Sequence, residues 1–568
     1  MVAVLGLVLA ACGGTGQSTS PSASVSTPPA SSGPFTAMTY PEQAVDCTAN
    51  GYHGEFKQIK AVDEHTVEFD LCYPDGSFLS KIAFTAFQIQ DSDYLNQAMA
   101  NHLILAKPVG TGPYMLSDWT RGDSITLVKN PNYTGDNPPK VDTVVIRWSD
   151  QAAQRLVELQ SGTVDGIDNP GTDDIATIKS DSSLKLYPRA GLNVFYLGMN
   201  NNPKVDGFDN SKNPFANEKV RQAIAMGIDR QRIVTNFYPD GSTVADYFTP
   251  CEISYGCVGD KWYDFDATAA KQMLSDAGYP NGFTTTIALR DVVRSYLPDP
   301  TSVAQEIQTQ LKNNLNITTT IDVQESGTFL DNASAGKLTG LHLLGWGADY
   351  PDQTDFVDYH FGPGASDQFG DKFPDLIDEI KKGAQSSDDA TRQAAYEQVN
   401  KLIKQHVPMV PIAHGASATA FQADVEGAYA APLTDERFYT MKPGDREQLV
   451  WMQNAEPISL FCGDETDGET FRLCEQINEG LYTYEIGGTK AVPDLATECT
   501  PSSDNLTWTC KLKEGVTFSN GATFDANDVV NSYALQWDVS NPLHIGRTAA
   551  FDYWGALWGD FLNKEPAS

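Results

Sequence analysis

The sequence predicts a mixed α/β protein built of two or three lobes, and three observations lead to that prediction. The chain has 568 residues, more than one typical domain holds. Hydrophobic residues make up 41% of the chain and aromatic residues 10%, which is enough for buried cores. Short apolar strands alternate with amphipathic helices along most of the chain, and that alternation is typical of the α/β class.

The charge balance excludes some partners. The formal net charge is −35 and the isoelectric point is about 4.4. Nucleic acid is disfavoured, because its phosphates require clustered Lys and Arg. Anionic lipid bound through a basic patch is disfavoured for the same reason.

The first residues resemble the export signal of a bacterial lipoprotein. Residues 2–11 form an apolar run too short to span a bilayer, and Leu9-Ala10-Ala11-Cys12 is similar to a lipobox. That resemblance implies that residues 1–12 are a signal segment and that Cys12 is lipidated. No Lys or Arg precedes the run, so either the start codon lies upstream or the sequence is clipped.

The following segment, 13–35, is rich in Ser, Thr, Pro and Gly and has too little apolar surface to fold. We therefore predict a flexible tether. It would hold a protein body at the outer face of the cytoplasmic membrane or in the periplasm, anchored by lipid alone.

Eight cysteines remain besides Cys12, an even number that fits disulfides in an oxidising compartment. Proximity favours four local pairs, although sequence alone leaves other pairings open. The favoured pairs are Cys47–Cys72, Cys251–Cys257, Cys462–Cys474 and Cys499–Cys510. There is no Cys-x-x-Cys motif and the eight histidines are scattered, so we expect neither a zinc site nor a cofactor.

The hydrophobic patterns place elements along the body. Val67, Phe69 and Leu71 alternate with Glu68 and Asp70, as in a half-buried strand. The Gly/Pro loop at 108–114 has no Walker lysine and no helix after it, so it does not predict a phosphate site. Further strands are predicted at 124–128, 144–148, 164–167, 193–200, 318–323 and 341–344, and helices at 152–162, 218–229, 266–277, 303–311 and 391–405.

One loop stands out as a candidate site. After the strand at 341–344 the chain reads Gly345-Trp346-Gly347-Ala348-Asp349-Tyr350, and then Asp352 and Asp355. Aromatic faces and a carboxylate suit a ligand with apolar groups and an amine. Read locally, however, an ordinary strand end with solvated aspartates is the commoner explanation.

Several stretches resemble the peptide/nickel-type, family 5, solute-binding proteins of ABC importers, which include dipeptide- and oligopeptide-binding proteins. The matching stretches, in order, are 108–114, 130–133, 155–165, 220–230 and 269–283. Each is weak alone, but their order and spacing over several hundred residues identify the chain as a member of that family.

The segments 449–460, 477–482, 493–496 and 506–530 are similar to the start of a mature protein of this family, yet here they come last. No second copy of either part is visible. We therefore expect a circularly permuted chain, and a fusion or misassembly of two partial genes is the alternative. Permutation is tolerated when the old termini are close and the new break is exposed.

The resemblance implies a two-lobed periplasmic-binding-protein-like fold of type II, in the large peptide-binding class, with an accessory domain. By this mapping, residues 36–104 and 491–568 form the accessory domain. Residues 105–189 and 431–490 form the first ligand lobe, and residues 190–430 form the second. The lobes are expected to close over the ligand and present it to the permease subunits in the membrane.

The resemblance also assigns the site. In peptide binders of the family, an Asp in the Gly-Trp-x-x-Asp stretch pairs with the ligand's α-amino group. Asp349 occupies that position. Trp346 and Tyr350 would shape the pocket. Oligosaccharides, opines and nickel complexes remain alternative ligands. A hydrolase is disfavoured because no Gly-x-Ser-x-Gly or His-Glu-x-x-His motif occurs. We expect a monomeric, non-enzymatic binding protein. The alternative is a surface or sensory lipoprotein that takes no part in transport.

Overall fold

The computed structural model describes residues 35–48, 51–203 and 213–564. The predicted signal segment at 1–12, the lipidation residue Cys12 and all but the last residue of the tether at 13–35 lie outside those residues. Three β-sheets organise the described chain. In its described part, no helix is both long enough and apolar enough to cross a membrane.

The accessory domain is built on an antiparallel five-stranded sheet that joins the two ends of the chain. Thr66–Leu71 pairs on one side with Phe56–Asp63 and on the other with Thr507–Leu512. Val67, Phe69 and Leu71 point into the core, as their alternation predicts. The strand order is Thr39–Tyr40, Phe56–Asp63, Thr66–Leu71, Thr507–Leu512, Ala496–Pro501, and the helices are Phe78–Ile82, Ser92–Ala98, Ala526–Trp537 and Asp552–Trp558.

The first lobe is built on a mixed seven-stranded sheet. Its centre is the parallel pair Gln448–Gln453 and Thr143–Trp148, in which Trp451 lies opposite Ile146. The strand order is Tyr114–Thr120, Ser124–Lys129, Thr143–Trp148, Gln448–Gln453, Gly166–Asp168, Ser417–Gln422, Leu184–Arg189, and the helices are Ala152–Gln160, Ile175–Ser180 and Gly468–Ile477.

One strand departs from the expected boundary at residue 430. Ser417–Gln422 pairs with both Leu184–Arg189 and Gly166–Asp168, so its hydrogen bonds place it in the first-lobe sheet. The boundary predicted at residue 430 would place this strand in the second lobe. The residues of a short strand alone do not reveal which sheet supplies its hydrogen-bonding partners.

The second lobe is built on a six-stranded sheet. Asn193–Met199 lies at its centre and is buried throughout. The strand order is Thr243–Val244, Met409–His414, Asn193–Met199, Leu341–Gly347, Thr284–Arg290, Thr318–Gln324. The helices are Glu218–Gly227, Arg230–Phe237, Ala267–Asp276, Pro300–Leu315, Ser326–Ser334, Tyr359–Phe361, Pro374–Ala384 and Asp389–His406, and a π-helical turn covers Thr354–Asp358.

The helix predicted at 218–229 is present as Glu218–Gly227, and a second helix, Arg230–Phe237, follows it. Glu218–Gly227 ends, and Asp229 then caps Arg230–Phe237 by accepting a hydrogen bond from the backbone N–H of Arg232. Ile228 between them is extended. The apolar spacing continues across the break because both helices pack on the same core, so periodicity alone conceals the cap.

The chain crosses between the two lobes twice, at 190–192 and at 415–416. Asn193 joins the two crossings: its side-chain N–H donates to the carbonyl of Gly415, and its side-chain oxygen accepts from the backbone N–H of Gly415, both at 2.8 Å. A Cβ on Gly191 would lie 2.0 Å from the carbonyl oxygen of Gly415, so the crossings approach closely only because glycine stands there.

All eight cysteines outside the masked start form disulfides, in the four local pairs that the sequence favours. Cys499 and Cys510 lie directly opposite each other in the hairpin of the accessory sheet. Two pairs lie in the accessory domain and one in each lobe. These pairs leave no cysteine thiol free in the part of the chain described.

Candidate functional site

The strand Leu341–Gly347 leads the chain from the core of the second lobe to the crossing between the lobes. Leu341 and Leu343 are buried, and the strand runs antiparallel to Asn193–Met199. Just past its end, the backbone N–H of Ala348 donates to the carbonyl of Leu192 at 2.7 Å. The loop that follows is therefore fixed to the crossing segment, and Asp349 emerges at the cleft between the lobes.

Asp355 lies directly behind Asp349 and fixes the loop. Its carboxylate accepts from the backbone N–H of Asp349 at 2.9 Å and from the indole N–H of Trp346 at 3.3 Å. The Trp346 ring stacks on Tyr359, with ring centroids 4.0 Å apart. Asp355 belongs to the π-helical turn Thr354–Asp358, a distortion often found at functional sites.

The two carboxylates share a poorly solvated place. Burial raises the pKa of Asp349 to about 6. Burial, and then the charge of Asp349, raises the pKa of Asp355 well above its usual range. A buried carboxylate without a cation is costly, so a ligand cation near Asp349 would be stabilised by ionising it.

The opposite wall of the cleft is aromatic. The Tyr553 hydroxyl, in helix Asp552–Trp558 of the accessory domain, donates to Asp349 Oδ1 at 3.2 Å. The Tyr553 ring packs edge-on against Phe84 and also contacts Phe471. A cavity of about 160 Å³ lies here, lined by these rings together with Asp349. The carboxylate thus has an apolar space on one side of it.

A larger cavity of about 890 Å³ opens on the other side of Asp349, between the second lobe and the accessory domain. Asp349, Trp346 and Tyr350, the three residues predicted from the sequence, all line it. Tyr350 is only 6% exposed, packs with the accessory-domain core and shares a 2.8 Å hydrogen bond with Thr354 Oγ1. The Trp346 ring is partly buried against the second-lobe core.

Sequence reasoning missed the site residues that come from elsewhere in the chain. Tyr553 is 204 positions from Asp349, and no local pattern marks it. Lys81, Glu55 and Asp75 of the accessory domain also line the larger cavity, where Lys81 pairs with both carboxylates. Asp355 lies within the predicted loop and Tyr359 lies just after it. The π-helical turn Thr354–Asp358, which the sequence does not predict, brings both residues to the site.

Metal chemistry has little support in the described ranges, which contain no group of three or more His, Cys, Asp or Glu side chains arranged to hold an ion. His342, His360 and His414 are buried, and burial lowers the pKa of each to about 4. They are neutral core residues. With the described cysteines in disulfides, the site's chemistry is that of carboxylates, lysines and aromatic rings.

Comparison with known proteins gives a consistent set of relatives. The family model described as bacterial extracellular solute-binding proteins, family 5 Middle, matches residues 22–368 and 490–551. Heme-binding protein A of Haemophilus influenzae is 28% identical over 415 residues, 71% of each chain. Di/tripeptide-binding protein 1 of Pseudomonas aeruginosa is 28% identical over 416 residues, 71% of this chain and 74% of the relative.

Two solved structures are similar as well. HbpA2 from Haemophilus parasuis matches with a TM-score of 0.61 at 27% identity, over 67% of this chain and 74% of that one. The periplasmic binding protein DppA from Helicobacter pylori, in complex with the peptide STSA, matches with a TM-score of 0.52 at 26% identity, over 68% of this chain and 74% of that one.

Proposed function

Because the chain belongs to the family 5 bacterial extracellular solute-binding proteins, we propose that it captures a peptide between its lobes and delivers it to the permease subunits of an ABC importer. Relatives and a similar solved structure are named for binding dipeptides, tripeptides or a tetrapeptide. The observation that carries the proposal is Asp349, a poorly solvated carboxylate at the cleft with aromatic rings on both sides.

The proposed contact is an ion pair between Asp349 and the peptide's α-amino group, with Trp346 and Tyr350 as walls of the pocket. An ammonium at this point would meet a carboxylate already positioned by its own backbone N–H bond to Asp355. Removing the carboxylate from such a water-shielded pair costs more than breaking a surface ion pair, because the amine is left without its counter-charge.

Calorimetric titration with the dipeptide Ala-Ala tests this contact. We expect Asp349→Asn to weaken binding by about 3 kcal/mol, roughly a hundredfold, since the amine loses its counter-charge. Asp331→Asn is the matched control, because Asp331 is exposed on helix Ser326–Ser334 of the same lobe. Equal affinity in the wild type and Asp349→Asn would remove the amine-binding role. Failure of Ala-Ala and longer alanine peptides to bind at all would leave an oligosaccharide, opine or nickel complex as the ligand.

We also propose that the chain is a circular permutation of the usual family order. The sheet that joins Thr66–Leu71 to Thr507–Leu512 supports this, because one sheet takes strands from both ends of the chain. The two separate matches of the family model support it too. A fusion or misassembly of two partial gene copies is the alternative.

Cys12 is the proposed point of lipid attachment, on the strength of its lipobox-like sequence. The protein would then stand at the outer side of the cytoplasmic membrane as a non-enzymatic binder. Radiolabelled palmitate should label the wild-type protein in cells and not Cys12→Ser. Equal labelling of both would contradict the assignment.

A further inference from the structure

More carboxyl groups than cationic side chains line the larger cavity. Five carboxylates line it, those of Glu55, Asp75, Asp349, Asp355 and Asp358. Its only lysines in the described chain are Lys81 and Lys381. The cavity lies between two bodies that are in contact: the backbone N–H of Gly76 donates to the carbonyl of Ala384 at 2.6 Å.

On the accessory-domain side of the cavity, one lysine forms ion pairs with two carboxylates. Lys81 Nζ is 2.8 Å from Glu55 Oε2 and 2.8 Å from Asp75 Oδ2. Glu55 is fully buried, and among the described residues its Oε1 has no hydrogen-bond donor. Burial, and then the charge of Asp75, raises the pKa of Glu55 well above its usual range. Glu55 and Asp75 therefore share a single close cation, Lys81.

On the second-lobe wall, Asp358 faces the cavity with a carboxylate that makes no hydrogen bond or ion pair to any described residue. Burial raises its pKa. Next to it, Tyr359 is 53% exposed and stacks on Trp346. An unpaired carboxylate beside an open aromatic face is the combination that holds an ammonium or guanidinium, through an ion pair and a cation–π contact.

We propose that this cavity is a subsite for a cationic side chain of the ligand, so that the protein prefers peptides carrying lysine or arginine beside the amine held by Asp349. The inference rests on the proposed function, since Asp349 lines this cavity and anchors the peptide at its edge. The side chain would extend from the anchored amine toward Asp358 and Tyr359. Its charge would offset the excess of carboxylates.

Matched peptides test the subsite. Calorimetry would compare Lys-Ala with norleucine-Ala, and Ala-Lys with Ala-norleucine, because norleucine keeps the length of lysine without its charge. In at least one of the two positions we expect the lysine peptide to bind about tenfold tighter or more. Asp358→Asn should abolish most of the difference between the lysine and the norleucine peptide, and Asp358→Glu should retain it. Asp331→Asn should behave as the wild type.

The outcomes separate the two proposals. If all the peptides bind and lysine gains nothing over norleucine in either position, the subsite is overturned and peptide binding stands. If none of the peptides binds, the proposed function fails and the subsite fails with it. Thermal unfolding of each variant shows that it is folded, which is expected for Asp358→Asn because its carboxylate makes no bond in the described structure.

Discussion

Two buried acids, Asp349 and Asp355, decide how the site responds to pH. Burial raises the pKa of Asp349 to about 6, and burial together with the charge of Asp349 raises the pKa of Asp355 well above its usual range. The two carboxyls interact, so they lose their protons as a pair. Asp349 is the one of the two that lines both cavities.

The sign of the pH effect follows from this. Below its folded pKa, Asp349 is protonated, and an incoming ammonium has to displace that proton; above it, the carboxylate is ionised already. We therefore expect the affinity for Ala-Ala to rise between about pH 5 and about pH 7, by up to about tenfold per pH unit, and to level off above. The peptide amine stays charged throughout that range.

Isothermal titration over this pH range measures the effect, and Asp349→Asn provides the control. The amide does not titrate, so its weaker affinity should be flat from about pH 5 to about pH 7. An equal slope in the variant would assign the titration to another group and contradict the role of Asp349.

The sequence locates part of this site and misses the rest for a physical reason. Trp346 and Asp349 lie at and just past the end of the strand Leu341–Gly347, whose apolar run is visible in the sequence, and they match the pattern of the family. Tyr553 and Lys81 reach the same cleft only because the accessory domain folds against the second lobe. A contact between residues more than two hundred positions apart leaves no local trace.

Among the elements, one buried ion pair ties the site loop to two helices. Arg392 is 4% exposed and lies 2.5 Å from Asp352 in the loop. Arg392 also donates to the carbonyl of Gly383 at the end of helix Pro374–Ala384, and its guanidinium lies over the Tyr396 ring. This arginine therefore holds the site loop against the helices Pro374–Ala384 and Asp389–His406.

We expect Arg392→Met to lower the free energy of unfolding by about 3 kcal/mol, because it leaves the buried Asp352 carboxylate unpaired. Urea denaturation measures it. Lys382→Met is the control, since Lys382 pairs with Glu379 on the surface and its loss should cost about 0.5 kcal/mol or less. In the double variant with Asp352→Asn the loss should fall below the sum of the two single losses, and full additivity would show that the pair is not coupled.

Most of the predicted elements are present because their apolar spacing matches a buried face, as in the strand Thr66–Leu71 and the helix Asp389–His406. The misplacements have specific causes. The helix predicted at 218–229 ends at Gly227, because Asp229 caps the next helix, and the strand Ser417–Gln422 takes its partners from the first lobe. Capping and strand pairing are decided by geometry that a hydrophobic pattern does not encode.

At the scale of the whole molecule, the two ends of the described chain meet in one place. Asp538 accepts from the Tyr40 hydroxyl at 2.5 Å and from the side-chain amide of Asn563 at 2.9 Å. The exposed turn at 445–447 lies between the strands Lys442–Pro443 and Gln448–Gln453, just before the segment that resembles the start of ordinary family members. Permutation therefore predicts where the chain can be reconnected.

A chain relinked from residue 564 to residue 36 by a Gly/Ser linker, and opened between Arg446 and Glu447, should fold and bind Ala-Ala like the natural chain, since every contact except those of the turn is kept. Small-angle scattering with saturating Ala-Ala should show the same compaction in both chains. No compaction in either chain would contradict lobe closure. Compaction in the natural chain alone would contradict the permutation.

The meeting of the two ends in the accessory domain also has a mechanical consequence. A pull applied at residue 35 enters the edge strand Thr39–Tyr40 and is resisted by Phe56–Asp63 of the same sheet and by Asp538. Neither crossing near Asn193 lies on that path. With the predicted tether at 13–35 and the predicted closure of the lobes, a load on the tether would stay within the accessory domain while the cleft opens and closes.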